Sequence, residues 1–213
     1  MKSYNYNLSY IDLLLNLFCT VLVLFLLTSL LIQPSKKVVQ EGAKKDAELI
    51  IQMEWPPDRD CDVDIWTRDP AKHIASYQNK NVGLMNLERD DLGKRGDFIL
   101  GPNGETVVNP KNEEVVSFRG LLPGTYTVNL HLYTCLTAEN THSVVGSVLT
   151  EPLPVNITII KLNPQYKVVD NRIVNLVSVW EEKTVYSFTI DAAGNVSNFD
   201  DTPVRLIGPR DVP

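Results

Sequence analysis

The stretch SYIDLLLNLFCTVLVLFLLTSLLIQ, residues 9–33, constrains this chain more than any other. From Ile11 to Ile32 it runs 22 residues, most of them Leu, Val, Phe or Ile. At a rise of ~1.5 Å per residue a helix of that length covers roughly 33 Å, enough for a hydrocarbon core of ~30 Å. A secretory signal peptide has a shorter apolar region, about 7–15 residues, ending at a small-residue cleavage site. Here the run leaves through Gln33-Pro34-Ser35-Lys36-Lys37 instead. The sequence therefore predicts an uncleaved transmembrane helix over 11–33, preceded by a tail, 1–10, and followed by a polar linker, 34–47. No later segment is as long without charges, so a single crossing is expected.

Asp12 sits in this run and needs a reason. Asp12, Asn16 and Thr20 are spaced by four and stack on one helix face, with Cys19 beside them and Thr28 further along the row. A carboxylate near the centre of a bilayer costs about 3 kcal/mol or more, so such groups turn toward protein or water and often mark ion paths. The competing reading places Asp12 at the interface as a helix cap, where a negative charge suits the helix dipole.

The pattern Tyr10-Ile11-Asp12-Leu13-Leu14-Leu15-x-Leu17-Phe18, followed by Leu26-Leu27-Thr28-Ser29, resembles the anchor of the ExbD/TolR/MotB family, the dimeric subunits of ion-driven membrane motors. The resemblance covers residues 4–34. It implies a cytoplasmic N-terminus, an inner-membrane helix and an extracytoplasmic domain in a bacterial envelope. It also implies that Asp12 carries the proton or sodium ion inside a pentameric ExbB/TolQ/MotA-like partner, with Asn16 and Thr20 lining the same path. The lysines at 36, 37, 44 and 45 pull the other way, because the positive-inside rule places such a flank in the cytoplasm. The rest of the chain has neither an OmpA-like peptidoglycan-binding pattern nor the compact α/β pattern of ExbD and TolR.

Residues 48–213 are the right length for one domain. The whole chain carries a formal charge of −6 with no basic stripe, which argues against nucleic acid as a partner. Short runs such as Asp62-Val63-Asp64-Ile65-Trp66-Thr67 alternate polar with apolar, the period of a half-buried strand. Further strands are expected over 47–55, 82–87, 97–100, 114–119, 125–133, 143–149, 155–161, 172–180 and 184–190. Gly101-Pro102-Asn103-Gly104, Pro123-Gly124 and Ala193-Gly194-Asn195 supply turns between them. The fold class read from this is mainly β, a β-sandwich. Leu122-Pro123-Gly124-Thr125-Tyr126-Thr127-Val128 is similar to a hairpin entry of immunoglobulin- and transthyretin-like sandwiches, and Asp62–Trp66 with Asp69-Pro70 to a strand of some bacterial extracytoplasmic sandwich domains.

Cys61 and Cys135 form either one disulfide or two buried thiols. His73, His131 and His142 are scattered and read as ordinary surface or packing residues. Asp58, Asp60, Asp62 and Asp64 alternate, so an extended chain would set four carboxylates on one face. Calcium, which takes 6–8 oxygen ligands, is the natural cation for such a set, and a solvated strand edge is the alternative. An EF-hand is excluded, because Val63 stands at the sixth place, where glycine is needed. The block Glu88-Arg89-Asp90-Asp91-Leu92-Gly93-Lys94-Arg95 reads as an exposed connection whose Arg89 and Arg95 are available to the aspartate run. No nucleophile elbow, phosphate-binding glycine loop or metalloprotease helix is present, so no enzymatic activity is expected. The functional expectation is a dimeric motor subunit that passes ion flow to an envelope target. The alternative is an anchored binding or adhesion module without ion conduction.

Overall fold

The computed structural model describes residues 6–31, 46–136 and 144–208. Two compact units make up the chain, Met1–Glu41 and Gly42–Pro213. Most of the expected linker, 34–45, lies outside the described residues, as does His142. The first unit contains one helix, α1 (Tyr6–Leu31), in which Tyr10–Thr28 is long and apolar enough to cross a membrane. The second is a mainly β unit.

Its strands among the described residues are β1 (Leu49–Trp55), β2 (Asp60–Arg68), β3 (Ile74–Ala75), β4 (Asn81–Val82), β5 (Met85–Arg89), β6 (Phe98–Leu100), β7 (Thr106–Val108), β8 (Asn112–Phe118), β9 (Gly124–Leu136), β10 (Val148–Lys161), β11 (Lys167–Ser178), β12 (Glu182–Ile190) and β13 (Val196–Asp200). Six form one sheet in the order β11-β10-β1-β8-β5-β4, and five form the other in the order β13-β12-β9-β2-β3. All named pairings between them are antiparallel. The hairpin β6-β7 turns through Gly101–Gly104 and leaves Phe98 and Leu100 exposed.

Alternation builds the core. Leu49, Ile51, Met53 and Trp55 of β1 meet Tyr126, Val128, Leu130 and Leu132 of β9 in one buried cluster between the sheets. On the outer face of the second sheet, Trp66 is covered by Leu206 and Ile207. Glu182 fastens that covering segment, accepting the Leu206 and Ile207 N–H groups at 2.6 and 3.1 Å. Sheet faces that would otherwise be solvated are therefore buried, which is why β2 is buried on both sides along most of its length.

Most of the expected strands are found, several with longer bounds. The segment 82–87 is instead the tight β4-β5 turn, with Gly83 at φ +58°. Strands β3, β7 and β13 are two to five residues long and carry too little pattern to be read in advance. Of the strand expected over 143–149, only Val148 and Leu149 among the described residues are in a strand, at the start of β10; 144–147 form a turn closed by the Ser147 N–H to the Val144 carbonyl. Cys61 and Cys135 face each other across the β2-β9 ladder and are joined by a disulfide.

Tyr126 locks the entry to β9. Its hydroxyl accepts the Leu122 N–H at 2.9 Å and donates to the Leu122 carbonyl at 3.0 Å, while its ring stacks on Phe188 at 5.4 Å. Tyr126→Phe keeps the ring and strands a backbone pair, so it should lower the unfolding free energy by about 1–3 kcal/mol. Denaturant unfolding of the detergent-solubilised chain, followed by fluorescence, checks this; all three tryptophans lie in the β unit.

Candidate ion-handling sites

Helix α1 is apolar around its circumference, and every side chain described from Tyr10 to Thr28 is exposed. Its polar row is Asp12, Asn16 and Thr20. The Thr20 hydroxyl donates to the Asn16 carbonyl at 2.8 Å, and Thr28 does the same to Phe25 at 2.9 Å. Those hydroxyls are satisfied inside the helix. Asp12 makes no hydrogen bond or ion pair among the described residues.

The second site arises from the topology of the β unit. Strand β2 pairs with β9 along its length but with β3 only at Thr67 and Arg68, so its other edge is open from Asp60 to Trp66. An open edge presents unpaired N–H and C=O groups that must find partners. Here the opposite sheet supplies two of them, and the segment 89–97 lies along the edge. Glu114 of β8 takes the Ile65 N–H on Oε2 at 2.8 Å. The Trp55 indole donates to the Cys61 carbonyl at 3.0 Å, and Asp60 Oδ1 accepts the Lys94 N–H at 3.2 Å. Gly93 lies so close that a Cβ there would stand 2.9 Å from the Cys61 carbonyl oxygen, and its φ is +68°. Only glycine suits that combination of contact and backbone.

Closing the edge this way gathers carboxylates. Asp64 and Glu114 are almost wholly buried, and with Asp90 they bring one oxygen each within 4.8 Å of one another. Asp62 is also buried, 3.7 Å from Arg95. Asp64 pairs with His131 Nδ1 at 3.2 Å, and Asp90 with Lys80 at 2.7 Å. Asp91, beside them, is held by Arg89 at 2.7 Å and accepts the Gly93 and Glu113 N–H groups.

Burial disfavours the charged form of a carboxyl group. It holds Glu114 well above the usual carboxylate range, with the Asp64 charge adding to the effect and the Ile65 N–H opposing it. Asp64 is raised by burial against the pull of His131. Asp62 is pushed up to about 7, first by burial and then by Asp64, with Arg95 opposing and Asp90 and Asp91 adding.

Of the four aspartates read as a cation set, Asp64 belongs to this group, and Asp62 is buried on the same face of β2 and paired with Arg95. Asp58 is exposed in the turn before β2, and Asp60 is occupied by Lys94. The register shift between Asp62 and Val63 passes over Tyr133 of β9, so β2 itself keeps its alternation, with Cys61, Val63 and Ile65 in the core. Arg95 does meet the aspartate run, whereas Arg89 is taken by Asp91. Glu114, Asp90 and His131 were not singled out for this group by the sequence. The available signal was the burial implied by Glu114 at an inward position of β8, in step with Val116 and Phe118. His73 pairs with Asp69 at 2.9 Å. No protein family, curated protein or solved structure matches the chain.

An acid whose folded pKa is raised binds its proton more tightly in the native state. Stability therefore falls as pH climbs from the unfolded value, 3.8, to the folded one, about 7 for Asp62. In chelator-containing buffer the thermal midpoint of the β unit should be lower at pH 7.5 than at pH 5, and Asp62→Asn should flatten that slope. Fluorescence-monitored melts of the solubilised chain across this range provide the check.

Proposed function

We propose that this chain is the dimeric anchor subunit of a proton- or sodium-driven membrane motor. Its helix would sit in a bacterial inner membrane with the N-terminus in the cytoplasm and the β-sandwich in the periplasm or outside the cell. The observation that carries the reading is the row Asp12, Asn16 and Thr20 on an otherwise largely apolar helix whose described side chains, Tyr10 to Thr28, are all exposed. A carboxylate so placed is stable in a membrane only beside protein or water, and a pentameric ExbB/TolQ/MotA-like partner supplies both. Asp12 would take up and release the ion, and the helix would move with its charge state. The chain would pass that movement to the sandwich and so to an envelope target. The Cys61–Cys135 disulfide supports an extracytoplasmic sandwich, because such bonds persist in oxidising compartments.

The competing reading, an anchored binding module, draws on the same disulfide and on the size of the sandwich. One substitution separates the two. Asp12→Asn keeps side-chain size and capping ability and removes the charge. The motor reading expects loss of the motor-dependent phenotype with normal expression and partner assembly; unchanged function would favour the binding module. Gentle extraction from the native membrane should bring down a multi-pass partner at roughly five copies to two of this chain. Recovery of the chain alone would count against the motor.

A further inference from the structure

The carboxylate group at the open edge of β2 has the makings of a metal site. The oxygens of Asp64, Asp90 and Glu114 lie within 4.8 Å of one another, about twice a calcium–oxygen distance of ~2.4 Å, so one ion between them reaches all three. They come from β2, from the residue after β5 and from β8, converging from both sheets. A separate observation concerns single carboxylate oxygens without a partner. Asp62 is 5% exposed, and its Oδ1 is sealed from solvent without a hydrogen-bond partner. Asp62 stands on the same face of β2 as Asp64, because Cys61, Val63 and Ile65 take the core face. Asp90 Oδ1 is buried and unpartnered as well. Buried oxygens of this kind call for a partner.

Charge gives the size of the deficit. When ionised, Asp62, Asp64, Asp90 and Glu114 carry four negative charges. The cationic side chains against them are Lys80, on Asp90, and Arg95, at 3.7 Å from Asp62. Arg89 is spent on Asp91, and two charges are left uncompensated. His131, 3.2 Å from Asp64, stands behind that carboxylate as an orienting neighbour.

We propose that Asp64, Asp90 and Glu114 bind a divalent cation, that the ion is calcium, and that Asp62 adds negative charge beside it from the same face of β2. The donors are all hard carboxylate oxygens in irregular placement, which suits calcium. Magnesium demands a near-octahedral set and keeps its waters, and zinc prefers nitrogen and sulfur. The ion fastens the open edge of β2 to β8 of the opposite sheet and to the segment 89–97. This inference does not rest on the motor reading.

The test uses the full chain in detergent, stripped with a chelator and titrated with calcium chloride at pH 7.5 by calorimetry, with thermal unfolding in parallel. The expected result is one calcium per chain, with a dissociation constant at or below ~1 mM and a raised unfolding midpoint. Asp90→Asn, at the rim of the group, should weaken binding about tenfold or more while the chain still folds. Asp58→Asn, in the exposed turn, should leave binding unchanged. Absence of both heat and a midpoint shift would overturn the site, since the carboxylates would then be neutralised by protons alone. Equal calcium binding by wild type and Asp90→Asn would overturn the ligand set. A response to magnesium or manganese but not calcium would overturn the choice of ion.

Discussion

The β unit depends on how the open edge of β2 is closed. A strand with a bare edge in the middle of a fold must satisfy its N–H and C=O groups or lose about 1–3 kcal/mol for each buried orphan. This chain answers with a carboxylate rather than another strand. Glu114 crosses from the opposite sheet to the Ile65 N–H, and the 89–97 segment lies along the edge with Gly93 in contact. The solution binds the two sheets together at one point, and it concentrates acidic groups where water is scarce. The acid cluster is a by-product of edge closure as much as an independent feature.

Much of this architecture was legible in the sequence. The long apolar run identified the helix, and period-two alternation identified the principal strands, because each buries one face in a shared core. The inward row of Tyr126, Val128 and Leu130 was readable from spacing alone and is buried. What could not be read was tertiary in origin. Strands of two or three residues such as β3 and β7 lack a period of their own. The burial of both faces of β2 depends on Leu206 and Ile207, more than a hundred residues away.

The same distinction separates the two candidate sites. The row on α1 is local, fixed by helical spacing, and visible as soon as the helix is recognised. The carboxylate group is assembled from residues far apart in the chain. Asp62 and Asp64 stood out because they are neighbours in an acidic run, but Glu114 was one acid of an adjacent pair and Asp90 one of a charged loop. Their meeting follows from the pairing of β8 with β1 and β5 and from the open edge of β2 facing them, neither of which spacing encodes.

The β unit's first strand has a mechanical meaning. Strand β1 is the first strand after the anchor, and it lies between β10 and β8 in an interior position of the six-stranded sheet. Tension arriving along the chain at Leu49 therefore meets a strand held by ladders on both sides. Drawn along its axis, β1 can slide only if both ladders shear together, rather than peeling open one bond at a time. A domain attached through such a strand behaves as a stiff load-bearing end of its tether: it carries a pull from the membrane side without unravelling from its point of attachment.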